Sequence, residues 1–153
     1  MLMQAFTIRV AAKADVPALA ALITELGYPT TPDEMAVRFE GISALPEYRT
    51  YVAIAANVVA GMIGLSKNHF YEHNGVYIRV AALVVHHGYR KQGIGKALMQ
   101  TAEDWAKETD ATAILLNSGQ RKEREAAHTF YLQLGYEPKS TGFVKKPDWM
   151  QAR

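Results

Sequence analysis

The segment from Val84 to Leu98 is the part of the sequence best suited to chemistry. It reads as a buried strand, a basic turn that contains glycine, and the start of a helix. Such a turn collects backbone N–H groups at a helix N-terminus, where they can bind phosphate oxygens. Gly93 and Gly95 lack the Cβ atoms that would hold a ligand away from the backbone. The positive charges at the same point are Arg90, Lys91 and Lys96. The segment therefore predicts a site for a phosphate-bearing ligand.

Two familiar phosphate-binding motifs do not fit this segment. A P-loop requires Gly-x-x-x-x-Gly-Lys-Ser/Thr, but Arg90 stands at the first glycine position and Ala97 at the hydroxyl position. A dinucleotide fingerprint requires Gly-x-Gly-x-x-Gly after the first strand, whereas Gly93-x-Gly95 is followed by Leu98 and comes after a late strand. A nucleotide-binding protein of either class is therefore disfavoured.

Two polar side chains on the last predicted helix, His128 and Tyr131, are candidates for proton transfer. Periodicity alone favours a structural role for Tyr131, because it belongs to a Phe-Tyr pair on an apolar helix face. His128 is more typical of a structural residue or a ligand contact than of a base. The pair His86-His87 could suggest a metal, but adjacent side chains on a strand point to opposite faces, so we expect no shared ion.

The elements that must position these residues follow from hydrophobic periodicity. A strand over Phe6 to Val10 precedes a helix that Asp15 opens and Gly27 closes, with Pro17 in its first turn. A second helix begins at Thr31 or Asp33. Strands then fill the stretch from residue 49 to residue 85, with Ala56-Asn57 as the expected hairpin turn.

The second half alternates strands and helices. Residues 76–85 predict a central strand that is buried on both faces. A helix with an apolar stripe follows, then a buried strand over residues 113–116, then the helix that carries Tyr131. A strand through Phe143 and Val144 completes the order β-α-α-β-β-β-α-β-α-β, with room for one more strand around Tyr136. This order predicts an α/β (α+β) fold with a mixed sheet flanked by helices.

Length and composition predict a single domain over residues 1–153. The chain has no cysteine, which excludes disulfides, iron–sulfur centres and a thiol nucleophile. The net charge of +2 is too small to argue for nucleic acid. The longest apolar run, residues 80–85, is too short to span a membrane, and the N-terminus does not resemble a secretory signal. We therefore expect a cytoplasmic protein.

Two motifs in order, Arg90-x-x-Gly93-x-Gly95 and a block from Ser118-Gly119 to Leu134-Gly135-Tyr136, carry a family resemblance. The second block includes Arg121, Arg124, Ala127-His128 and Phe130-Tyr131, and Phe143-x-Lys145 follows it. With Leu83-x-Val85 ahead of the first motif, the sequence resembles the bacterial type of the GNAT superfamily of acyl-CoA-dependent N-acetyltransferases over nearly its whole length. The resemblance implies a GNAT-like, mostly antiparallel sheet and no metal.

The resemblance also implies roles for individual residues. Acetyl-CoA would be the cosubstrate, and its pyrophosphate would bind the backbone amides from Arg90 to Gly95. The strand end would splay from its neighbour and pair with the pantetheine arm, and one of its N–H groups would polarise the thioester carbonyl. Tyr131 would protonate the departing thiolate. The implied cofactor-binding residues are Leu83, Val84, Val85, Arg90, Lys91, Gln92, Gly93, Ile94, Gly95, Lys96 and His128.

Several points stay open at the level of sequence. The apolar strand lacks the carboxylate that many members use as general base, so the base is unassigned. The acceptor, a small-molecule or peptide amine, would be framed by residues 28–31, the second helix and the turn near Glu72. An acidic first half suits a cationic amine. A homodimer through the segment from Phe143 to Trp149 is expected, and the alternative function is a non-catalytic acyl-CoA-binding sensor of the same fold.

Overall fold

The computed structural model describes residues 5–118 and 124–148. The chain divides into two compact units, residues 1–116 and residues 117–153, and a single domain over the whole chain stays a prediction. The elements of the first unit are β1 (Phe6–Val10), α1 (Val16–Leu26), α2 (Pro32–Ser43), β2 (Tyr48–Ala55), β3 (Val58–His69), β4 (Val76–Val85), α3 (Ile94–Glu108) and β5 (Ala113–Leu116). Short 3₁₀ turns, Lys13–Asp15 and His87–Tyr89, precede α1 and α3. The second unit contains α4 (Glu125–Gln133).

The strands of the first unit form one sheet in the order β1-β2-β3-β4-β5. The first four pair antiparallel with their neighbours, and β5 pairs parallel with β4. This confirms the predicted mixed, mostly antiparallel sheet flanked by helices. Ala56 and Asn57 join β2 to β3 with φ angles of 50° and 62°. Positive φ at both central residues is the requirement of a tight hairpin turn, so the predicted turn is also confirmed.

Local sequence signals fix the ends of α1 and α2. Pro17 lies in the first turn of α1, and Gly27 caps its C-terminus with φ of 120°. Thr31, rather than Asp33, caps α2: its hydroxyl accepts from the Glu34 N–H, and the Glu34 carboxylate accepts from the Thr31 N–H. This reciprocal capping box sets where α2 begins.

The two faces of the sheet bury different helices. Met62 belongs to a core cluster with residues of α1 and α2, including Leu19 and Phe39. Its neighbour Gly61 faces the other way: a Cβ there would approach Ile94 Cγ2 of α3 to 3.1 Å. Adjacent strand residues point to opposite faces, so the sheet separates α1 and α2 from α3. Among the described residues, no helix is both long enough and apolar enough to cross a membrane.

Strand β4 corrects one prediction, because it is not buried on both faces. It is central, between β3 and β5, but Arg79 and Ala81 are exposed within it. The register with β3 slips by one residue after Val80: Leu65 pairs with Val80 and Gly64 with Ala82, so Ala81 has no partner of its own in β3. The extra residue is a β-bulge, and it reverses which face later side chains occupy. Ala82 and Val84 therefore lie on the α1–α2 face.

Two further predictions differ from the structure. β5 is an edge strand of partly exposed residues rather than a buried one, with Leu115 47% exposed. Described residues 136–147 contain no strand, and Phe143 and Val144 are 92% and 85% exposed. Phe143 and Val144 are the only two adjacent β-favouring residues in this stretch, and Gly142 and Pro147 flank them closely. So short a stretch has too few ladder hydrogen bonds to form a strand on its own.

Candidate functional site

The C-terminal end of β4 extends past its neighbour. β5 pairs with Tyr77–Val80 and then ends, while β4 continues through residues 81–85. The His86 N–H donates to Ala60 O of β3 at 2.8 Å. Because backbone groups alternate sides along a strand, the N–H groups of Leu83 and Val85 point away from β3, to the side where β5 has ended. This strand end can pair with an extended ligand.

The turn after β4 brings backbone amides together at the start of α3. Lys91 and Gly93 have φ angles of 62° and 87°, and Gly93 is the N-cap of α3. The first helical bond runs from the Ala97 N–H to Gly93 O at 3.0 Å. The preceding N–H groups of the first turn, from Ile94 to Lys96, have no intrahelical acceptor. A Cβ at Gly93 would meet no atom of residues 5–118 or 124–148 within 4 Å, so this helix end is open toward the described part of the chain. The geometry suits a phosphate group.

The side chains of this turn add charge and fix its shape. Arg90 is exposed, and its Nε donates to Val85 O at 3.1 Å while its Nη2 lies 3.4 Å from Glu25 Oε2. Lys91 and Lys96 are exposed, and neither forms an ion pair with the described part of the chain. Gln92 Oε1 is buried and has no hydrogen-bond partner in the part of the chain that the structure describes. The turn thus presents three cations and one unsatisfied buried amide oxygen.

Glu25 connects α1 to the same turn. Its carboxylate accepts from the His87 N–H at 3.1 Å and makes a very short contact with His87 Nδ1. Burial alone would raise the pKa of Glu25, but the hydrogen bonds from the His87 ring and amide outweigh it, and the pKa is lowered. Glu25 is therefore ionised at neutral pH and holds the turn against α1. The role of Glu25 could not be predicted from the sequence, because 62 residues separate it from His87.

The expectation that the His86 and His87 side chains point to opposite faces of a strand is wrong. β4 ends at Val85, so His86 and His87 do not lie on opposite faces of a strand; their rings stack with centroids 4.3 Å apart and 25° between planes. With Glu25 they place three potential metal ligands within 4.8 Å of one another. His86 Nδ1 already accepts from the Gly88 N–H at 3.0 Å, so the lone pair of that nitrogen is in use. Absence of a metal stays a prediction.

Helix α4 of the second unit carries the two candidate proton-transfer residues. Burial raises the pKa of Tyr131, and the nearby charge of Arg124 offsets part of that rise. The Tyr131 ring packs edge-on against Phe130 and Tyr136, with centroids 5.2 and 6.2 Å away. A raised pKa keeps the hydroxyl protonated at neutral pH, as a general acid requires. His128 is partly buried one turn earlier on α4. Gly119, Arg121 and Trp149 lie outside the described residues.

An apolar cavity of about 190 Å³ lies within the first unit. Its walls come from α1, α2, β2, β3 and the bulged part of β4, Ala81 and Ala82. Of the regions expected to frame the acceptor, α2 lines it, whereas residues 28–31 and Glu72 do not. Met62 and Gly64 of β3 also line the cavity, and neither could be predicted as a lining residue because nothing in a strand pattern distinguishes a cavity wall from packed core.

Comparison with known proteins agrees with this geometry. The model of the acetyltransferase (GNAT) family matches residues 16–136. No curated protein sequence matches the chain significantly. A GNAT family acetyltransferase from Staphylococcus aureus is 32% identical, with 95% of this chain and 100% of that one covered and a TM-score of 0.79.

Two more distant structures share the fold. A glucosamine-6-phosphate N-acetyltransferase from Arabidopsis thaliana is 21% identical, covers 95% of this chain and 100% of its own, and has a TM-score of 0.80. An aminoglycoside N-acetyltransferase solved in complex with CoA is 18% identical, covers 95% of this chain and 96% of its own, and has a TM-score of 0.78. From the extended strand end, the α3 turn and the family match over residues 16–136, we conclude that this chain belongs to the acetyltransferase (GNAT) family.

Proposed function

We propose that the protein is an N-acetyltransferase that moves an acetyl group from acetyl-CoA to a primary amine by direct attack on the thioester. The observation that carries this proposal is the junction of β4 and α3. The end of β4 is paired with β3 on one edge, has no strand partner among the described residues on the other, and leads into a helix N-terminus whose N-cap glycine has positive φ and no described atom within 4 Å of a Cβ built on it. These features fit the two polar parts of CoA, an extended amide-bearing arm and a pyrophosphate.

The donor is bound mainly by backbone groups. The amides from residue 90 to residue 95 hold the pyrophosphate, and Arg90, Lys91 and Lys96 neutralise its charge. Leu83, Val84 and Val85 pair with the pantetheine arm as an added strand would. Gln92, Ile94 and His128 complete the proposed donor contacts. Gly93 is required because its φ of 87° disfavours any side chain and because the pyrophosphate approaches its backbone.

The chemical step needs a polarised carbonyl, a neutral amine and a protonated leaving group. A backbone N–H at the end of β4 polarises the thioester carbonyl. The amine nitrogen forms the new bond to the carbonyl carbon while the carbon–sulfur bond breaks. Tyr131 gives its hydroxyl proton to the departing thiolate, and the proton lost by the amine passes to water, which later restores Tyr131. The raised pKa of Tyr131 means only that the hydroxyl is protonated at neutral pH; its role as the acid is supported by the family resemblance of the segment that carries it.

Substitution of Tyr131 with phenylalanine tests the assignment of the general acid. The Tyr131→Phe variant keeps the ring and its packing against Phe130 and Tyr136, so the melting temperature should change little. General acid catalysis contributes about 10²–10⁴-fold, so kcat should fall by that factor while the KM for acetyl-CoA stays nearly constant. Free thiol release gives kcat, and thermal unfolding gives the stability.

The two possible failures of this test have different meanings. A stable Tyr131→Phe enzyme with full kcat would remove Tyr131 from the mechanism. Saturable CoA binding by the wild-type protein, without thiol release from acetyl-CoA for any amine in a broad panel, would favour the non-catalytic sensor of the same fold.

A further inference from the structure

The cavity of the first unit has a lining that restricts the acceptor. Ten of the thirteen lining residues are apolar; the polar ones are Arg38, Tyr48 and Thr50. No carboxylate is among these described lining residues. A polycationic acceptor would lose hydration there without gaining a counter-charge, which is strongly unfavourable. An apolar group, by contrast, gains from leaving water.

The size of the cavity sets the size of that group. A cavity of about 150 Å³ lined by aliphatic and aromatic side chains can hold benzene, so 190 Å³ is enough for one aromatic ring or a branched aliphatic chain. It is smaller than the roughly 300–1,000 Å³ of sites for drug-sized ligands. The acceptor is therefore small, with one compact apolar body.

One cation, Arg38, is among the residues that line the cavity. Arg38 is exposed on α2, and its Nη1 donates to Thr30 Oγ1 at 3.0 Å. This bond orients the guanidinium, and no described carboxylate forms an ion pair with it. Glu34, one turn earlier on α2, is an acidic neighbour on the same helix face. Hydrogen bonds from Thr31 and, to a smaller extent, the charge of Arg38 lower the pKa of Glu34. A planar guanidinium is suited to a carboxylate.

The bulged part of β4 also lines the cavity. Ala81 and Ala82 line the cavity and come directly before Leu83, where the proposed donor site begins. An amine held in the cavity is thus close to the thioester. The apolar walls and the Arg38 charge both disfavour an ammonium ion, so they lower the pKa of the bound amine and supply its neutral, nucleophilic form.

From these four observations, and resting on the proposed N-acetyltransferase function, we propose that the acceptor is a small primary amine with one apolar body and one carboxylate. This is the chemistry of an apolar amino acid. The apolar body occupies the cavity, the carboxylate pairs with Arg38, and the amine faces the end of β4.

Three amines test the class directly in the full-length protein at saturating acetyl-CoA. L-Phenylalanine carries both features, 2-phenylethylamine lacks the carboxylate, and spermidine is a polycation. We expect kcat/KM, measured by thiol release, to be at least about tenfold lower for 2-phenylethylamine than for L-phenylalanine. It should be at least about tenfold lower again for spermidine. Equal or faster acetylation of spermidine would overturn the inference and leave the proposed function intact.

Two variants locate the effect. A Cβ at Gly64 meets only ordinary contacts, with Met62 Cε at 3.8 Å, so Gly64→Leu fills the cavity without backbone strain. Because Gly64→Leu removes the space for the apolar body, it should raise the KM for L-phenylalanine about 10- to 100-fold and leave the CoA dissociation constant unchanged. Gly41→Leu, on the exposed side of α2 with nothing within 4 Å, is the control and should leave both constants unchanged. Gly64→Ala serves if the larger variant does not fold.

Arg38→Gln separates the carboxylate from the apolar body. It should reduce the preference for L-phenylalanine over 2-phenylethylamine, measured as the ratio of their kcat/KM values, about tenfold, because only L-phenylalanine has a carboxylate whose partner is removed. An unaltered preference would overturn the role of Arg38. If no amine releases thiol, the proposed function fails, and the acceptor inference is then tested by calorimetric titration of L-phenylalanine into the CoA-loaded protein. Absence of binding would overturn the inference. Binding that Gly64→Leu abolishes would support it.

Discussion

A glutamate at position 93 is the sharpest perturbation of the proposed donor site. Gly93 has φ of 87°, where a side chain costs about 1–2 kcal/mol relative to glycine. For a chain of this length each kcal/mol lowers the melting temperature by about 2–4 °C, so the variant should lose about 2–8 °C. Because nothing lies within 4 Å of a Cβ there, the side chain causes no clash in the free protein. Gly93→Glu should therefore fold.

The effect on CoA binding should be much larger than the effect on folding. The new carboxylate projects into the space proposed for the pyrophosphate. Two like charges about 4 Å apart repel by about 4 kcal/mol at an effective dielectric constant of about 20, before screening by salt. Even a screened remainder of about 1.4 kcal/mol weakens binding about tenfold, and steric exclusion adds to it. We expect the CoA dissociation constant to rise about 10- to 1,000-fold.

Gly75→Glu is the matched control for this variant. Gly75 also has positive φ, 108°, and a Cβ there makes only an ordinary contact with Thr112 Cγ2 at 3.8 Å. It precedes the N-terminal end of β4, about 30 Å along the strand from the α3 turn. Calorimetric titration with CoA and thermal unfolding should show similar destabilisation in both variants but weakened binding only in Gly93→Glu. Unchanged CoA affinity in a folded Gly93→Glu protein, or an equal loss in Gly75→Glu, would refute the donor-site assignment.

Three other predictions follow from the first unit and the C-terminal segment. Gly61→Ala places a Cβ 3.1 Å from Val84 O and from Ile94 Cγ2, so these neighbours must shift. Overpacking of this kind costs about 1–3 kcal/mol of stability. A melting temperature within about 1 °C of wild type would contradict the close packing. The Arg9 hydrogen bonds lower the pKa of the buried Asp15 carboxyl, so its stabilisation is present above the ordinary carboxyl pKa of about 3.9 and is lost as the pH falls through the lowered value. Asp15→Asn should therefore melt several degrees lower at pH 7, with the difference from wild type shrinking in strong acid; a difference that grows on acidification would contradict this sign. The exposed Phe143 should take part in a homodimer, so light scattering should give about twice 17.0 kDa for wild type and a monomer for Phe143→Ser, and a wild-type monomer would refute it.

Features that depend on neighbours in sequence could be predicted well. The ends of α1 and α2 depend on Pro17, Gly27 and the Thr31–Glu34 capping box, and each signal acts within a few residues. The turn at Ala56-Asn57 is equally local. The α3 turn belongs to this class too, because a glycine N-cap after a buried strand is visible in the order of residues. Local hydrogen bonding and allowed φ angles decide all of these features.

Features that depend on distant partners could not be predicted. His86 and His87 stack because both lie beyond the end of β4 at Val85 and because Glu25, far away in sequence, holds the turn. The strand expected at Phe143 and Val144 does not form because its two β-favouring residues have no ladder of their own. In both places residue type was informative about local preference, whereas the outcome depended on which backbone groups found a partner.

The bulge at Ala81 is the feature that connects the proposed donor site to the proposed acceptor cavity. The sequence over residues 76–85 is almost uniformly apolar, so it fits either face of the sheet and gives no sign of a register slip. The slip coincides with the end of pairing to β5, which frees the strand edge for the donor. It also turns Ala82 and Val84 to the α1–α2 face, where the cavity lies. A continuous register would place these side chains on the α3 face and close the route between the two sites. On this proposal, positions 81 and 82 need small side chains, because larger ones would fill the space in which the amine is proposed to reach the thioester.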